Sequence, residues 1–293
     1  MIDESLRLRL WYENQIGEKV EEMVPLKGGI NSSVMKLVSS KGTQVVKSYA
    51  QTKDAYLRFS RETSFLKFCS EHAIMNVPKI IEQDEANLIL CMNYIDGRKR
   101  EEPSQFGSAV LAFISDLQEV NRAIHSSLMF AADCTFDLPG LLREINRRID
   151  ERSPVENSVT NHEIQFELRE IVEVEGFWNR ASSFFGEFAR EYISPSDIGP
   201  HNCLWVGDEA FFIDFEYAGR DSNIKLGLDL LTHPDIGWKQ VKPETESLFE
   251  SVFGYTPDQV PYGLLCLFEL KWRLIREQML QKKHALQKGE DLE

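Results

Sequence analysis

The stretch of sequence that decides the fold runs from Ser194 to Glu216 and reads "SPSDIGPHNCLWVGDEAFFIDFE". Its two short apolar runs, "CLWV" and "AFFI", are typical of neighbouring buried strands. Asp197 and Asn202 precede the first run, and Asp214 follows the second. Two adjacent strands would bring Asn202 and Asp214 together at one end of a hairpin, with Asp197 close by.

These residue types suit a particular chemistry. An Asn carbonyl and an Asp carboxylate are hard oxygen ligands of the kind that Mg²⁺ prefers. Asp197 would be free to accept a proton from a hydroxyl nucleophile. Each Asp also has an ordinary structural use, because Asp often caps a turn or ends a strand. For each residue taken separately, the sequence leaves both interpretations open.

A glycine pair near the N-terminus is a second candidate site. Gly28 and Gly29 lie between two strand-like segments, and Asn31, Ser32 and Ser33 follow closely. Glycines let the backbone approach a ligand and offer N–H groups to phosphate oxygens, and the three polar side chains could donate as well. The alternative is an ordinary hairpin turn, where Gly-Gly pairs are common. The chain has neither a GxGxxG nor a Walker motif.

Lys47 ends the apolar segment "TQVVK". A lysine at this point could reach nucleotide phosphates as a point charge, and it would need a carboxylate to hold it. Glu62, in the helical segment "SRETSFL", is the candidate partner. Taken singly, both residues read as ordinary surface charges. Their interest lies in the order of a Gly-rich hairpin, a strand lysine and a helix glutamate.

The chain divides into a strand-rich first part and a helical second part. Alternation and turn signals predict three strands, a helix and two strands in the first part. Helical periodicity dominates from Phe106 and is interrupted by the two strands of the opening stretch. The predicted fold class is α+β. We expect a small antiparallel-sheet lobe with one helix in residues 1–96, and a larger, mainly helical lobe in residues 97–293.

The charge balance limits the classes of function. The chain has 293 residues and a formal net charge of −14, from 47 acidic and 33 basic side chains. So acidic a surface argues against nucleic-acid binding, which depends on clustered Lys and Arg. It is compatible with a cationic or metal-assisted substrate, although a simple solubility role is the favoured explanation.

The compartment follows from the cysteines and the N-terminus. Five cysteines form no CxxC pair, which predicts buried thiols in a reducing compartment. The N-terminal "MIDESLRLRLWYENQ" lacks the apolar core of a signal peptide, and no apolar run approaches the length of a membrane span. We therefore expect a cytoplasmic protein that binds neither nucleic acid nor membrane. No pattern indicates an oligomeric state.

The D-x-x-x-x-N pattern, followed after a dozen residues by an apolar run ending in I-D-F, resembles the catalytic loop and metal-binding Asp of the protein-kinase-like fold. In detail the chain is similar to the aminoglycoside phosphotransferase and choline kinase group, the phosphotransferase enzyme family. The resemblance extends from about Leu26 to Asp229. It rests on "GGINSSVMKL", "VVK", "RETSFL", "VPKII", "LILCMNYIDG", "SDIGPHNCLW" and "FFIDFEYAG", in that order.

The resemblance implies ATP and Mg²⁺ as cofactors and a role for each candidate residue. Lys47 would hold the α- and β-phosphates, with Glu62 as its ion-pair partner. Asp197 would be the catalytic base or would orient the acceptor hydroxyl, while Asn202 and Asp214 would bind Mg²⁺. The backbone from Cys91 to Tyr94 would form the hinge that binds adenine. The nucleotide contacts implied in this way are Gly28, Gly29, Asn31, Ser32, Lys47, Glu62, Cys91, Asn93 and Tyr94.

The chain departs from the family pattern at one position. The family usually has a His two residues before the catalytic Asp, and this chain has Pro195. A proline fixes φ and stiffens the loop by another route, so we expect Asp197 to remain aligned. His201 is expected to be a packing residue whose ring bonds a backbone carbonyl. Glu216 would either face the site or be a solvated surface carboxylate, and Asp229 would brace the catalytic loop.

The preferred hypothesis is an ATP-dependent kinase that phosphorylates a hydroxyl of a small molecule, either an aminoglycoside, an amino alcohol or a sugar. The acidic composition favours a cationic acceptor slightly. The alternative is a catalytically silent nucleotide-binding protein or scaffold of the same fold, suggested by Pro195 and by the missing GxGxxG. Protein kinase activity is less favoured, because no A-P-E motif follows Glu216.

Overall fold

The computed structural model describes residues 4–26, 31–99, 103–123, 128–152, 159–236 and 243–288. The first lobe contains α1 (Glu4–Ile16), β1 (Val20–Pro25), β2 (Ser32–Ser39), β3 (Gly42–Tyr49), α2 (Lys53–Glu71), β4 (Ile80–Asp84) and β5 (Ile89–Asn93). The five strands form one antiparallel sheet in the order β1-β2-β3-β5-β4. The predicted succession of three strands, a helix and two strands is confirmed.

Side chains alternate between the two faces of the sheet, and each face is covered by a different helix. On β3, Val46 packs in a small core with α1, whereas Tyr49 belongs to the large core that contains α2. Lys47 therefore lies on the α2 side, where it contacts Glu62. The period of two along β3 is what directs the Lys47 side chain into the molecule and away from solvent.

The sequence analysis predicts one helix in this lobe, which corresponds to α2. Helix α1 is an additional helix that was not predicted. Leu8, Trp11 and Tyr12 are buried against the outer face of the sheet. Their spacing of three and four residues is the helical signal that the sequence carries. The Trp11 indole also donates to the Asp84 carboxylate at 2.8 Å, which fixes α1 to the end of β4.

The second lobe is mainly helical, as predicted. In the part of this lobe that the structure describes, four short strands form two separate two-stranded ribbons, β6 with β9 and β7 with β8. The elements are α3 (Pro103–Ala123), α4 (Leu138–Asp150), α5 (Asn161–Val172), α6 (Phe177–Phe188), β6 (Glu191–Ser194), β7 (Cys203–Val206), β8 (Glu209–Phe212), β9 (Gly219–Ser222), α7 (Asn223–Thr232), α8 (Pro243–Phe253) and α9 (Tyr262–Lys288).

The predicted hairpin of the opening stretch is present as β7 and β8, with Cys203 opposite Phe212. Two aromatic stacks fix it in place. Phe212 stacks on Phe113 of α3 with ring centroids 4.6 Å apart, and Phe215 stacks on Phe65 of α2 at 4.5 Å. Such pairs add about 0.5–1.5 kcal/mol each beyond the burial of their apolar surface. The hairpin is thus anchored to both lobes.

The β6–β9 ribbon is not predicted. The helical pattern over residues 177–193 continues past the end of α6 at Phe188, and its last residues form β6 instead. Ala189 ends the helix in an extended conformation, and β6 then pairs with β9 from Glu191 opposite Ser222. β6 follows α6 closely and continues its apolar spacing, so periodicity does not separate it from the helix, whereas β7 and β8 are equally short but are bounded by turn residues.

No helix among the described residues is both long enough and apolar enough to cross a membrane.

Candidate active site

Lys47 lies between carboxylates that come from both lobes. Its Nζ is 2.8 Å from Glu62 Oε2 on α2 and 2.6 Å from Asp214 Oδ1, two residues beyond β8. Glu216 Oε2 lies 3.6 Å from the same Nζ. We call Lys47, Glu62, Asp214 and Glu216 the lysine cluster. The two separated sequence candidates, the strand lysine and the helix glutamate, are therefore in direct contact.

The carboxylates keep Lys47 charged although it is only 4% exposed. Burial alone would lower the pKa of Lys47, but the attraction of Glu62, Asp214 and Glu216 outweighs it and raises the pKa well above its ordinary value. Glu62 is itself saturated with donors. It accepts hydrogen bonds from Lys47 and the Tyr49 hydroxyl on Oε2, and from the Phe215 backbone N–H on Oε1 at 3.4 Å.

Glu216 faces the cluster and not the solvent, which decides between the two interpretations of this residue. It is 4% exposed, and its Oε1 accepts a hydrogen bond from Asn31 Nδ2 at 2.7 Å. Burial raises the pKa of Glu216, the nearby Asp214 charge adds to that effect, and Lys47 and Asn31 oppose it. Asn31 also contacts the Tyr217 hydroxyl at 2.7 Å, so the segment before β2 is joined to the segment after β8.

Asn202 and Asp214 lie at the same end of the β7–β8 hairpin. The Ile213 N–H donates to the Asn202 carbonyl at 2.9 Å, which brings Asp214 next to Asn202. Asn202 Nδ2 donates to the Asp197 carbonyl at 2.8 Å. Because the amide nitrogen is used in this way, the amide oxygen of Asn202 is the atom left to accept a cation or donor. The single hydrogen bond to Asp197 also orders the loop that carries the candidate base.

Two residues of the site have a left-handed backbone. Ser196, which precedes Asp197, has φ 66°, and Asp214 has φ 67°. Residues other than glycine adopt this region at a cost of about 1–3 kcal/mol when the surrounding structure enforces it. At both positions the conformation determines the direction of a candidate carboxylate, Asp197 in one case and Asp214 in the other.

His201 differs from its prediction. Its ring bonds no backbone carbonyl of the described residues; instead its Nε2 lies 3.5 Å from Asp197 Oδ2, with the His201 side chain 46% exposed. The Asp197 carboxylate raises the pKa of His201 against the lowering effect of burial. The spacing of four residues in a turn that includes a 3₁₀ segment, Pro200–Asn202, is what returns the ring to Asp197. That contact depends on the loop path, so periodicity could not reveal it.

The predicted hinge needs a correction at Cys91. Cys91 lies inside β5 between Val46 of β3 and Glu82 of β4, and its side chain belongs to the core under α1. Its backbone is thus enclosed by sheet neighbours on both sides. Asn93 and Tyr94 donate their N–H groups to Lys79 and Thr43 at 3.1 and 3.4 Å. The backbone that is free of the sheet begins after Tyr94, at residues 95–97.

The remaining candidates have mixed outcomes. Gly28 and Gly29 lie outside the described residues, so the predicted phosphate-binding turn stays a prediction. Ser32 begins β2 opposite Tyr49. Asp229 is buried, and its carboxylate pairs with Lys225 and Lys271; these contacts join α7 to α9 and do not brace the catalytic loop.

The linker between the lobes pairs with the hairpin. Arg98 and Trp205 exchange two backbone hydrogen bonds, of 2.9 and 2.8 Å. A Cβ on Gly97 would lie 2.8 Å from Leu204 Cβ and 3.2 Å from the Trp205 carbonyl oxygen. The close approach of the two backbones therefore requires glycine at position 97.

A cavity of about 570 Å³ opens between α5, α6 and α9 and contains none of the predicted site residues. Its walls combine the apolar Ile171 and Phe177 with Glu170, Arg180 and Glu269. None of the residues that line it belongs to the lysine cluster or to the β7–β8 hairpin, so we do not assign the chemistry to this cavity.

Comparison with known proteins agrees with this geometry. The family described as "Phosphotransferase enzyme family" matches residues 22–222, about two thirds of the chain. No curated protein matches the chain.

Several solved structures share the fold. The aminoglycoside phosphotransferase APH(2″)-IIa, in a ternary complex with streptomycin and ATP, superposes with a TM-score of 0.64 at 15% identity, over 95% of this chain and 91% of that one. Choline kinase LicA from Streptococcus pneumoniae gives 0.64 at 13% identity, over 98% and 92%. Macrolide 2′-phosphotransferase MphH from Brachybacterium faecium gives 0.57 at 13% identity, over 97% and 93%. At these identities the likeness shows the fold.

The family match spans both lobes and includes every described residue of the lysine cluster and the hairpin. The chain therefore belongs to the phosphotransferase enzyme family and is a small-molecule phosphotransferase.

Proposed function

We propose that this chain is an ATP- and Mg²⁺-dependent kinase that transfers the γ-phosphate to a hydroxyl of a small molecule. The observation that carries the proposal is the position of Lys47, 2.8 Å from Glu62 and 2.6 Å from Asp214. A buried ammonium held between a helix glutamate and an aspartate beside a hairpin resembles the arrangement that protein kinases use to bind nucleotide phosphates. Lys47 would contact the α- and β-phosphates, and Glu62 would hold it there.

The donor set beside Lys47 fits Mg²⁺. Asn202 retains its amide oxygen, and Asp214 has one oxygen on Lys47 and a second that is not so engaged. Three carboxylates surround one ammonium in the lysine cluster, which leaves two formal negative charges. Hard oxygen donors with that net charge suit one divalent cation that keeps water and phosphate oxygens as its other ligands. Bound there, Mg²⁺ would supply charge neutralisation for the phosphates.

Asp197 is proposed as the base or orienting group for the acceptor hydroxyl. Its side chain is 35% exposed, so an acceptor can approach it directly. The bond from Asn202 to its carbonyl holds the loop next to the metal ligands. In such a reaction most of the rate arises from positioning and electrostatic stabilisation. The nucleotide base would lie against the linker, where the backbone after Tyr94 is free of the sheet. We also propose that the boundary between the two lobes lies in this linker, between residues 96 and 97.

The acceptor class is proposed as an aminoglycoside, an amino alcohol or a sugar, in the cytoplasm. Support comes from the family and from solved structures whose names include streptomycin, gentamicin and choline kinase. The net charge of −14 favours cationic acceptors over neutral ones.

The test is a screen of Mg-ATP consumption with aminoglycosides, choline, ethanolamine and sugars. Two pairs separate charge from shape, namely choline with its neutral isostere 3,3-dimethylbutan-1-ol, and glucosamine with glucose. We expect transfer to at least one acceptor, and loss of transfer by at least about 100-fold in Asp197→Asn and Asp214→Ala with the fold intact. Asp258→Asn, an exposed carboxylate in the Pro257–Gln259 turn, is the control that should behave as wild type.

Two results would reject the mechanism. Transfer unchanged in both Asp197→Asn and Asp214→Ala would exclude the assigned roles. Binding of ATP that depends on Mg²⁺, with no turnover across the panel, would favour the catalytically silent alternative that Pro195 suggests.

A further inference from the structure

The Asp197 carboxylate lies within reach of a histidine side chain. Among the residues that the structure describes, His201 is the side chain that reaches this carboxylate, with Nε2 at 3.5 Å from Oδ2. Pro195, two residues before Asp197, has no N–H and no polar side-chain atom, so it cannot act as the donor. The 3.5 Å separation is long for a hydrogen bond, as contacts of this kind often are before substrate binds.

A second histidine lies behind the first. His233 is 6% exposed and packs edge-on against Trp272 with ring centroids 4.5 Å apart. The Asp235 backbone N–H donates to His233 Nδ1 at 3.1 Å. Since Nδ1 accepts, the proton of the neutral ring must be on Nε2. Burial lowers the pKa of His233, which favours the neutral ring. His233 is thus a fixed donor through Nε2–H.

Gly199 makes room for the two rings to approach. A Cβ at position 199 would lie 2.5 Å from His201 Nδ1 and 3.0 Å from His233 Nε2. The glycine has φ −94°, so any residue could adopt its backbone; only the space excludes a side chain. Ligand-type atoms of His201, His233 and Asp235 lie within 4.8 Å of one another, a span that one bridging water can cover.

The same three residues do not suit a metal ion. With Nδ1 of His233 occupied by the Asp235 N–H, its Nε2 carries a proton and has no lone pair to offer. Asp235 Oδ1 is engaged by Arg276 at 2.7 Å. The Asp235 N–H bonds His233, His201 contacts Asp197, and the two imidazole rings lie stacked between these contacts with their centroids 6.2 Å apart.

We propose that His201 is a positioning residue for Asp197, and that His233, across the gap left by Gly199, holds the His201 proton on Nε2. His233 Nε2–H donates towards His201 Nδ1, directly or through one water, and His201 Nε2–H donates to Asp197 Oδ2. No proton is transferred in this role. The hydrogen bond fixes the direction of the carboxylate, so its free oxygen faces the acceptor hydroxyl. The expected effect on kcat rests on the proposed function, whereas the contact between His201 and Asp197 does not.

The kinetic test uses isosteric substitutions at His201. In His201→Gln the amide nitrogen takes about the position of Nε2, whereas in His201→Asn it takes about that of Nδ1. We expect His201→Gln to keep kcat within about threefold, and His201→Asn and His201→Ala to lose about 10- to 100-fold in kcat, with KM for ATP unchanged. A Gln variant no more active than the Ala variant, or a loss confined to KM, would overturn the proposal.

A second test does not require turnover. Two-bond ¹H–¹⁵N spectra of the imidazoles report which nitrogen carries the proton, and the six histidines can be assigned by substitution. At a pH at which His201 is neutral, we expect both His201 and His233 as Nε2–H tautomers, and a shift of the His201 resonances in both Asp197→Asn and Gly199→Ala. A His201 ring with its proton on Nδ1, or one unmoved by Asp197→Asn, would reject the inference.

The two failures are distinguishable. Absence of transfer to every acceptor, with the expected spectra, rejects the proposed function and leaves the His201 contact. Transfer with unresponsive His201 resonances rejects only the positioning role. Calorimetric titration with Zn²⁺ examines the metal alternative, and stoichiometric binding that disappears in His233→Ala would also overturn the proposal.

Discussion

Lys47 is the residue at which the two lobes of the site converge. Its ammonium is almost fully buried and touches carboxylates from α2 and from the segment after β8. A buried charge is tolerated only when it is paired and hydrogen-bonded, and the three carboxylates depend on Lys47 in the same way. The residue proposed to bind phosphate is therefore also a structural component of the folded state.

We predict that Lys47→Met lowers the free energy of unfolding by about 3–5 kcal/mol, because it leaves buried carboxylates without their cation. Removing one of those carboxylates as well, in Lys47→Met/Glu62→Gln, is expected to recover part of that loss while transfer activity stays absent. Urea unfolding and the transfer assay measure the two effects. If the double variant were destabilised by the sum of the two single changes, the residues would not be coupled.

At the scale of elements, some helices and strands are specified by local sequence patterns and others depend on tertiary contacts. The strands of the first lobe and the β7–β8 hairpin could be predicted because alternation and turn residues act locally. α1 was missed although Leu8, Trp11 and Tyr12 have helical spacing, and the four-residue strands β6 and β9 were missed because they are held mainly by each other. Local sequence specifies the first group and tertiary pairing the second.

The site shows the same division. The approach of Asn202 to Asp214 follows from two strands and a turn, so it could be expected from sequence. The contact of His201 with Asp197, and the burial of Glu216 beside Asn31, depend on loop paths and on segments far apart in the chain. Spacing carries no information about such contacts. The prediction that the Cys91 backbone belongs to the adenine-binding hinge was wrong for a related reason, because the exact end of a strand depends on its neighbouring strands.

We expect the contacts that hold helix α1 on the sheet to weaken at acidic pH. The hydrogen bond from Arg7 lowers the pKa of Glu4. Burial raises the pKa of Asp84, but hydrogen bonds from Asn87 and Trp11 outweigh burial and lower it. A carboxylate whose folded pKa is depressed stabilises the fold above its unfolded pKa of about 4, and the contribution is lost as pH falls through the folded value.

We therefore predict that Glu4→Gln/Asp84→Asn lowers the free energy of unfolding at pH 6 and that the difference from wild type is smaller at pH 3, because the wild-type carboxylates become protonated as the pH falls. Urea unfolding at the two pH values measures it. A difference of the same size at the lower pH would mean that packing, and not ionisation, accounts for the effect of these residues.

Two helical glycines provide a matched test of packing. A Cβ on Gly227 of α7 would overlap the Tyr255 hydroxyl and approach Phe249 at 3.1 Å, whereas a Cβ on Gly186 of α6 meets nothing within 4 Å. We predict that Gly227→Ala destabilises the protein by about 1–3 kcal/mol through overpacking. Gly186→Ala should stabilise it by up to about 1 kcal/mol, because Ala is the better helix former. Equal effects in thermal unfolding would contradict this account.

At the scale of the whole molecule, the lobes are connected through the linker and the hairpin as well as through Lys47. Arg98 pairs with Trp205 in both directions, and the aromatic stacks of Phe212 and Phe215 reach α3 and α2. One hairpin thus contacts the linker, both lobes and the candidate metal ligands.

We predict that Gly97→Ala separates the linker from β7, since the added methyl would press on the Trp205 backbone, which cannot rotate away as a side chain can. The expected results are a loss of about 1–3 kcal/mol in the free energy of unfolding and weaker ATP binding, measured by urea unfolding and calorimetry. Asp96→Ala, at an exposed neighbouring position, is the control for stability. Wild-type stability in Gly97→Ala would show that the close approach is not needed.

The pairing of Arg98 with Trp205 also determines where the molecule can bend. Tyr94 is hydrogen-bonded to Thr43 in the sheet of the first lobe, whereas Arg98 is hydrogen-bonded to the hairpin of the second. Any opening or closing motion that keeps both sets of bonds must be absorbed by backbone rotations at residues 95–97. The rotation axis then passes beside the proposed adenine contact. The nucleotide would consequently lie at the pivot, where the two lobes move least, and the Asp197 end of the cleft would show the larger displacement.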